Sequence, residues 1–91
     1  MPSREPPSTE WPAWWHWDLE VTSHAERRME DREFNELELR EMLERAAGFE
    51  PDHVEGRFVI HAVHRDHTWH VIVEPDAEDR LLVVVTAYRV E

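Results

Sequence analysis

The stretch from residue 56 to residue 89 holds three apolar segments joined by short polar turns, and this pattern limits the chain to a small number of folds. The segments span about 56–65, 68–74 and 80–89. Strands joined by turns as short as 66–67 and 75–79 must be antiparallel neighbours. We therefore predict an antiparallel meander, in which the β-branched run at 83–86 makes the last segment a central strand that is apolar on both faces.

The residues before the meander begin with an arm and a strand. Residues 1–14 hold four of the six prolines and predict a flexible arm, with Trp11 and Trp14 placed to fold back onto the domain. The rest of the chain, 15–91, is short enough that one domain is expected. Apolar and polar residues alternate over 15–22, which predicts a half-buried strand.

Two helices are predicted from residues that cap helix starts. Ser23 with Glu26, and Asn35 with Glu38, have the three-residue spacing of a capping box. Apolar residues recur at helical spacing after each box. The predicted helices span about 24–32 and 36–47.

The second predicted helix leads into the meander through a connection. Gly48 is expected to end this helix in a left-handed conformation, and residues 49–55 to form the connection. A strand, a helical pair and a meander predict an α+β fold, with both helices packed on one face of an antiparallel sheet.

The charge balance limits the partners of this chain. It has 21 aspartates and glutamates against ten arginines and no lysine, a net charge of −11. Proteins that bind nucleic acid without sequence preference are mostly basic, because neutralising phosphates supplies their affinity. This acidic chain is therefore expected to bind RNA through a local arginine cluster, and its surface otherwise suits a basic protein partner or a salt-rich host.

The lack of cysteine removes several kinds of site. No disulfide, thiolate metal site or thiol nucleophile is available to this chain. The first residues lack the apolar segment of a secretory signal, and no apolar run approaches the ~20 residues of a membrane helix. We expect a cytoplasmic protein with no membrane contact.

A titratable side chain and two cations share one face of the first predicted helix. His24, Arg28 and Arg32 follow one another at four-residue intervals, so they stack along one side of the helix. Histidine suits proton transfer because its pKa lies near 6.5, and arginine suits bidentate contact with phosphate. The alternative is structural: His24 packs at the helix start, and the arginines pair with Asp31 and Glu36.

Four histidines around the first turn of the meander are candidates for a metal site. His61 and His64 are three residues apart, as are His67 and His70, which places the members of each pair on opposite faces of a strand. We expect His61 and His70 to be cross-strand neighbours. The candidate carboxylate ligands are Glu74 and Asp66. No metal-binding motif accompanies them, so we predict no metal and interpret the histidines as exposed hairpin residues.

The first helix and the last strand together resemble a known family. The residues that carry the resemblance are His24-Ala25-x-x-Arg28-Met29-x-x-Arg32, then Phe34, and finally Val83-Val84-Val85-Thr86-Ala87-Tyr88. Over about 20–90 the chain is similar to small bacterial proteins known only as a domain of unknown function, which resemble RelE-like toxins and the wider group of barnase-, colicin- and RelE-type ribonucleases. Glu33 and Phe34 stand where the family pattern has glycine and isoleucine.

The resemblance implies a RelE-like fold and a toxin-like ribonuclease, active or degenerate, that uses neither a metal nor another cofactor. Its substrate is then RNA, and its protein partner is an antitoxin. Under this hypothesis the catalytic residues are His24, Arg28, Arg32 and Thr86, and the substrate-binding residues are Arg57 and Tyr88. His24 carries the proton, the arginines contact phosphate, and the two hydroxyl groups donate hydrogen bonds.

A second hypothesis belongs to another functional class. The chain is then a non-catalytic interaction module, whose acidic surface binds a basic protein or whose sheet pairs with a strand of a partner. A homodimer formed through the tryptophan-rich edge is compatible with either hypothesis.

Overall fold

The computed structural model describes residues 11–90, so the predicted arm before Trp11 lies outside the described residues. Within this range a short 3-10 helix is followed by two helices and five strands. In chain order the elements are the 3-10 helix Ala13–His16, β1 (Asp18–Val21), α1 (Ser23–Asp31), α2 (Glu36–Glu44), β2 (Gly48–Pro51), β3 (Phe58–His64), β4 (His67–Asp76) and β5 (Leu81–Arg89). Neither α1 nor α2 is long and apolar enough to cross a membrane.

The strands form one mixed sheet in the order β1-β5-β4-β3-β2. The class is α+β, as predicted, and the antiparallel pairing of β3, β4 and β5 confirms the meander. The prediction of a wholly antiparallel sheet is wrong, because β1 pairs with β5 in parallel. Short turns determine the orientation of β3, β4 and β5 only, whereas the long connection that follows β1 permits either orientation.

Both helices pack on one face of the sheet and build the core with it. Ala25 and Met29 of α1 are buried, as are Leu39, Met42 and Leu43 of α2. The buried sheet residues in the same cluster are Ile60, Ala62, Trp69, Val71, Val73, Leu82, Val84 and Ala87. Each large apolar side chain buried here stabilises the fold by about 1.5–3 kcal/mol. This interface therefore outweighs the exposed ion pairs, which contribute about 0–1 kcal/mol each.

The structure confirms one of the two predicted capping boxes. Asn35 Oδ1 accepts a hydrogen bond from the Glu38 N–H at 2.9 Å, and Glu38 Oε1 accepts one from the Asn35 N–H at 3.0 Å. At α1 the N-cap is Thr22 rather than Ser23, and its hydroxyl accepts from the Ala25 N–H at 3.1 Å. The same hydroxyl lies 3.1 Å from two carbonyl oxygens of β5 and donates to them. Thr22 is the N-cap because its side chain bonds a free N–H of the helix and carbonyl groups of the sheet at the same time.

The predictions for the segment after α2 are wrong in two respects. The helix ends at Glu44, and Gly48 begins β2 instead of capping the helix. β2 is an edge strand paired with β3, and it ends at Pro51, whose missing N–H is tolerated at the edge of a sheet. Phe49 alone among the four residues of β2 favours a strand, and this signal is too weak to predict one.

The tryptophans near the arm extend the core instead of forming a long strand. Residues 13–16 are a 3-10 helix, so the strand predicted over 15–22 shortens to β1. Trp11 stacks on Trp15 with the ring centroids 4.2 Å apart. Trp11 and Trp14 both pack against the core, and the prediction that they fold back onto the domain is confirmed.

Candidate functional site

The face of the sheet opposite the helices carries a row of polar side chains from four strands. We refer to it as the open face, because neither α1 nor α2 packs on it, and to Glu50, His61, His70 and Tyr88 as the histidine row. His61 pairs with His70 across β3 and β4, and His70 pairs with Tyr88 across β4 and β5. Glu50 contacts His61 from β2. The row thus runs from the β2 edge of the sheet to β5.

Glu50 and His61 form a hydrogen-bonded pair at the outer end of the row. The Glu50 Oε2 and His61 Nε2 atoms are 2.8 Å apart. An ionised carboxylate only accepts hydrogen bonds, so Nε2 of His61 is the donor and carries a proton. The carboxylate orients the imidazole ring, and Nδ1 is the ring nitrogen left to contact a ligand.

His70 has a perturbed pKa. Its ring meets that of His61 edge to face, with the centroids 4.7 Å apart. Burial lowers the pKa of His70 below its usual value, and the charge of His61 lowers the pKa further, while Glu50 opposes the change. His70 is therefore neutral at pH 7 and able to accept a proton.

Two hydroxyl groups extend the row along β5. The Tyr88 and His70 rings are 5.6 Å apart between centroids, and Tyr88 is 42% exposed. Thr86 lies two residues before Tyr88 on the same face, opposite Ile72 of β4. The open face thus carries two hydroxyl groups as well as the two imidazoles, and Tyr88 lies beside His70 where a ligand can reach it.

The β3–β4 hairpin aligns the two histidines. Its two-residue turn is formed by Arg65 and Asp66, whose φ angles of 53° and 68° are the left-handed values that tight hairpin turns require. The turn lies one residue earlier than the predicted 66–67. Because a tight turn fixes the register of a hairpin, His61 lies opposite His70, and the prediction that they are cross-strand neighbours is confirmed.

The carboxylate beside the histidines is not one of those predicted from the sequence. Glu50 contacts His61, whereas Glu74 accepts a hydrogen bond from Arg57 Nε at 2.9 Å. Sequence reasoning missed Glu50 because β2, the strand that carries it, gave only a weak signal of its own. Within residues 11–90 no group of three or more histidine, aspartate and glutamate side chains is arranged to hold a metal ion.

The structure distributes the predicted site residues over three places. His24 and Arg28 are exposed on α1, and neither side chain forms an ion pair with another residue of 11–90. Glu36, a predicted partner of the arginines, binds Arg40 at 2.8 Å instead. Arg32 lines a cavity at the end of the sheet. The remaining predicted residues, Arg57, Thr86 and Tyr88, belong to the open face.

One protein family, described as Domain of unknown function (DUF4258), has a model that matches residues 21–89. The chain belongs to this family. The match runs from the last residue of β1 to the last residue of β5, so it contains the whole histidine row and all the predicted site residues. The stacked pair Trp11 and Trp15 lies outside the match. No curated protein and no solved structure matches the chain.

Proposed function

We propose that this chain is a small metal-independent ribonuclease of the RelE-like type, toxin-like in its family relationship, with its proton-transfer groups in the histidine row. One observation carries the proposal: two imidazoles lie side by side on the open face, and their surroundings differ. His61 is bonded to a carboxylate, whereas His70 has a lowered pKa. A pair of titratable groups in contrasting environments is what general acid and base catalysis requires.

RNA cleavage without a metal uses the 2′-hydroxyl of the substrate as its nucleophile. Neutral His70 removes the proton from that hydroxyl, and the 2′-oxygen forms a bond to the adjacent phosphorus. The bond from phosphorus to the 5′-oxygen breaks, and His61 gives the leaving oxygen a proton from Nδ1. The products are a 2′,3′-cyclic phosphate and a 5′-hydroxyl. To complete the cycle, His70 releases its extra proton to solvent and His61 takes one up from solvent.

The phosphate is expected to bind on the solvent side of the row. A distance of 4.7 Å between the His61 and His70 rings leaves no space for a phosphate between them. Tyr88 lies beside His70, and Thr86 lies two residues before it on the same face, so their hydroxyls are suited to donate hydrogen bonds to phosphate oxygens. Arg57 is the cation of this face, and it must leave Glu74 to contact the substrate.

The first helix keeps only an RNA-contacting role in this proposal, because the proton transfer that the family resemblance implies for His24 is assigned to the histidine row. α1 packs against β5, the strand that carries Thr86 and Tyr88. His24 and Arg28 are exposed on α1 and carry groups that contact RNA in other proteins. Because these side chains are exposed, they are available to contact an RNA strand that binds on the open face and continues around β5 to α1.

The decisive experiment is cleavage of a labelled mixed-sequence RNA by the full chain in the presence of EDTA, at low and at moderate salt. We expect cleavage, and none of an otherwise identical strand with 2′-deoxyribose throughout. His70→Gln and His61→Gln should each lower the rate by about 10²–10⁴-fold, because each removes one proton-transfer group. His16→Gln is the matched control, since His16 is exposed and outside the row, and its rate should equal that of the unmodified chain.

Three other outcomes would contradict the proposal in distinct ways. Full activity in His70→Gln with none in His24→Ala would move the proton-transfer site to α1. Activity abolished by EDTA would make the reaction metal-dependent. A folded protein that neither cleaves nor binds RNA at either salt would overturn the ribonuclease and favour the non-catalytic interaction module.

A further inference from the structure

A cavity of about 220 Å³ at one end of the sheet is lined by an unusual concentration of positive charge. Its lining residues are Arg32, His64, Arg65, His67, Trp69 and Arg89, and we refer to it as the cationic cavity. Three of the ten arginines of an acidic chain thus meet in one place, although their sequence positions are far apart. Guanidinium groups repel one another, so a cluster of them is favoured only when an anion, from the protein or from a ligand, binds among them.

The fold brings these arginines together from three separate elements. Arg32 is the C-cap of α1, Arg65 is the first residue of the β3–β4 turn, and Arg89 is the last residue of β5. Arg89 pairs with Trp69 across β4 and β5, so it belongs to the helical side of the sheet and not to the open face. The cationic cavity and the histidine row are therefore separated by the sheet.

Two residues that line this cavity each have a buried nitrogen atom that lacks the hydrogen bonds such atoms normally make. Nε1 of Trp69 and Nε2 of His64 are both buried and have no hydrogen-bond partner among residues 11–90. Trp69 is only 4% exposed, and its indole N–H can act only as a donor. A buried donor without an acceptor is costly, and a ligand with acceptor oxygens would remove that cost.

The charges around the cavity leave two guanidinium groups available. Arg65 binds Glu38 at 2.7 Å, which neutralises one of the three cations. Arg32 and Arg89 form no ion pair with any residue of 11–90. Guanidinium groups bind phosphate oxygens through paired N–H donors, and the indole N–H of Trp69 is a further donor with no acceptor of its own.

We propose that the cationic cavity binds a phosphate group, held by Arg32 and Arg89 and by the indole N–H of Trp69. A phosphate monoester presents acceptor oxygens in several directions and a charge that matches two guanidinium groups. The volume of about 220 Å³ admits such a group together with several waters. This site does not depend on ribonuclease activity, because it lies on the other side of the sheet from the proposed proton-transfer groups.

The test is a titration of the full chain, labelled with ¹⁵N, with inorganic phosphate at constant ionic strength, read at the indole N–H of Trp69. The signal is assigned by its loss in Trp69→Phe. We expect a saturable shift of this signal with a Kd in the range of about 1 mM or tighter. Arg32→Gln and Arg89→Gln should each weaken binding about tenfold, whereas Arg27→Gln, an exposed arginine of the same helix as Arg32, should leave the Kd unchanged.

Further ligands identify the source of the phosphate. A nucleoside 5′-monophosphate that binds more tightly than inorganic phosphate, while the nucleoside alone does not bind, would assign the site to a nucleotide or an RNA end. Equal binding of both would assign it to the free phosphate group. The proposal is overturned if the Trp69 indole signal does not move with phosphate, or if it moves equally in the variant that lacks both Arg32 and Arg89. Either result is independent of whether the chain cleaves RNA.

Discussion

The histidine row and the cationic cavity lie on opposite sides of β4, and they are built in opposite ways. Trp69 and His70 are consecutive residues of this strand, yet Trp69 is buried under the helices and His70 faces the open side. The cavity is lined by cations and by Trp69, which belongs to the core. The row consists of titratable and hydroxyl-bearing side chains on the surface of the sheet. The same strand thus gives the cavity a wall that is held by core packing, and gives the row side chains that the core does not hold.

The largest expected difference between the two regions is in stability. Trp69→Ala removes a buried ring from the core and should lower the free energy of unfolding by about 3–5 kcal/mol. Tyr88→Ala removes a ring that is 42% exposed and should cost less than about 1 kcal/mol. Urea denaturation of the three proteins measures both values. Equal losses would mean that the open face is part of the core, and the contrast between the regions would fail.

A smaller effect is expected from two carboxylates that neutralise one arginine in each region. Glu38→Gln frees Arg65 and should tighten phosphate binding in the cavity about two- to fivefold, and the glutamine keeps the cap of α2. Glu74→Gln frees Arg57 and should tighten RNA binding on the open face to a similar degree.

Glu41→Gln serves as the control for these two variants, because it removes the same charge from an exposed position of α2. Each substitution should affect one ligand and not the other. If all three variants tightened both ligands equally, the effect would come from the net charge of the chain and not from the local pairs.

The smallest expected effect is the dependence of stability on pH. Folding lowers the pKa of His70. Between the ordinary pKa of histidine and this lowered value, His70 therefore binds a proton more readily in the unfolded chain than in the folded chain. The free energy of unfolding should therefore decrease as the pH falls from 7 through the lowered pKa of His70. His70→Gln should flatten this part of the profile, and His16→Gln should not. A profile of His70→Gln that runs parallel to that of the unmodified chain would show that His70 does not titrate differently on folding.

The parts of the fold that sequence reasoning predicts correctly are those determined by near neighbours. The Asn35–Glu38 capping box and the β3–β4 hairpin each depend on residues a few positions apart, and the alignment of His61 with His70 follows from that hairpin. β2 escapes prediction because its residues become a strand only by pairing with β3. The parallel orientation of β1 depends on contacts with the far end of the chain.

The same distinction applies to the candidate sites. The histidines of the row are predictable, but Glu50 lies on the strand that the sequence does not reveal. The cationic cavity joins Arg32, Arg65 and Arg89 from distant positions, and no spacing in the sequence connects them. Arg32 is expected to act with His24 and Arg28, yet as the C-cap of α1 it contributes to a different surface.

The parallel pairing of β1 with β5 has a consequence for the order in which the chain folds. The contact between Thr22 and Val85 spans 63 residues, whereas the contacts of the meander close through short turns. Closing such a long loop loses chain entropy before the contact between β1 and β5 contributes any stabilisation, and this slows folding. We therefore expect β1 to dock after the meander has formed, and until it does so Leu81–Val84 of β5 are an unpaired edge that another chain can join. The segment most exposed to misassembly is therefore the first half of β5, which precedes Thr86 and Tyr88.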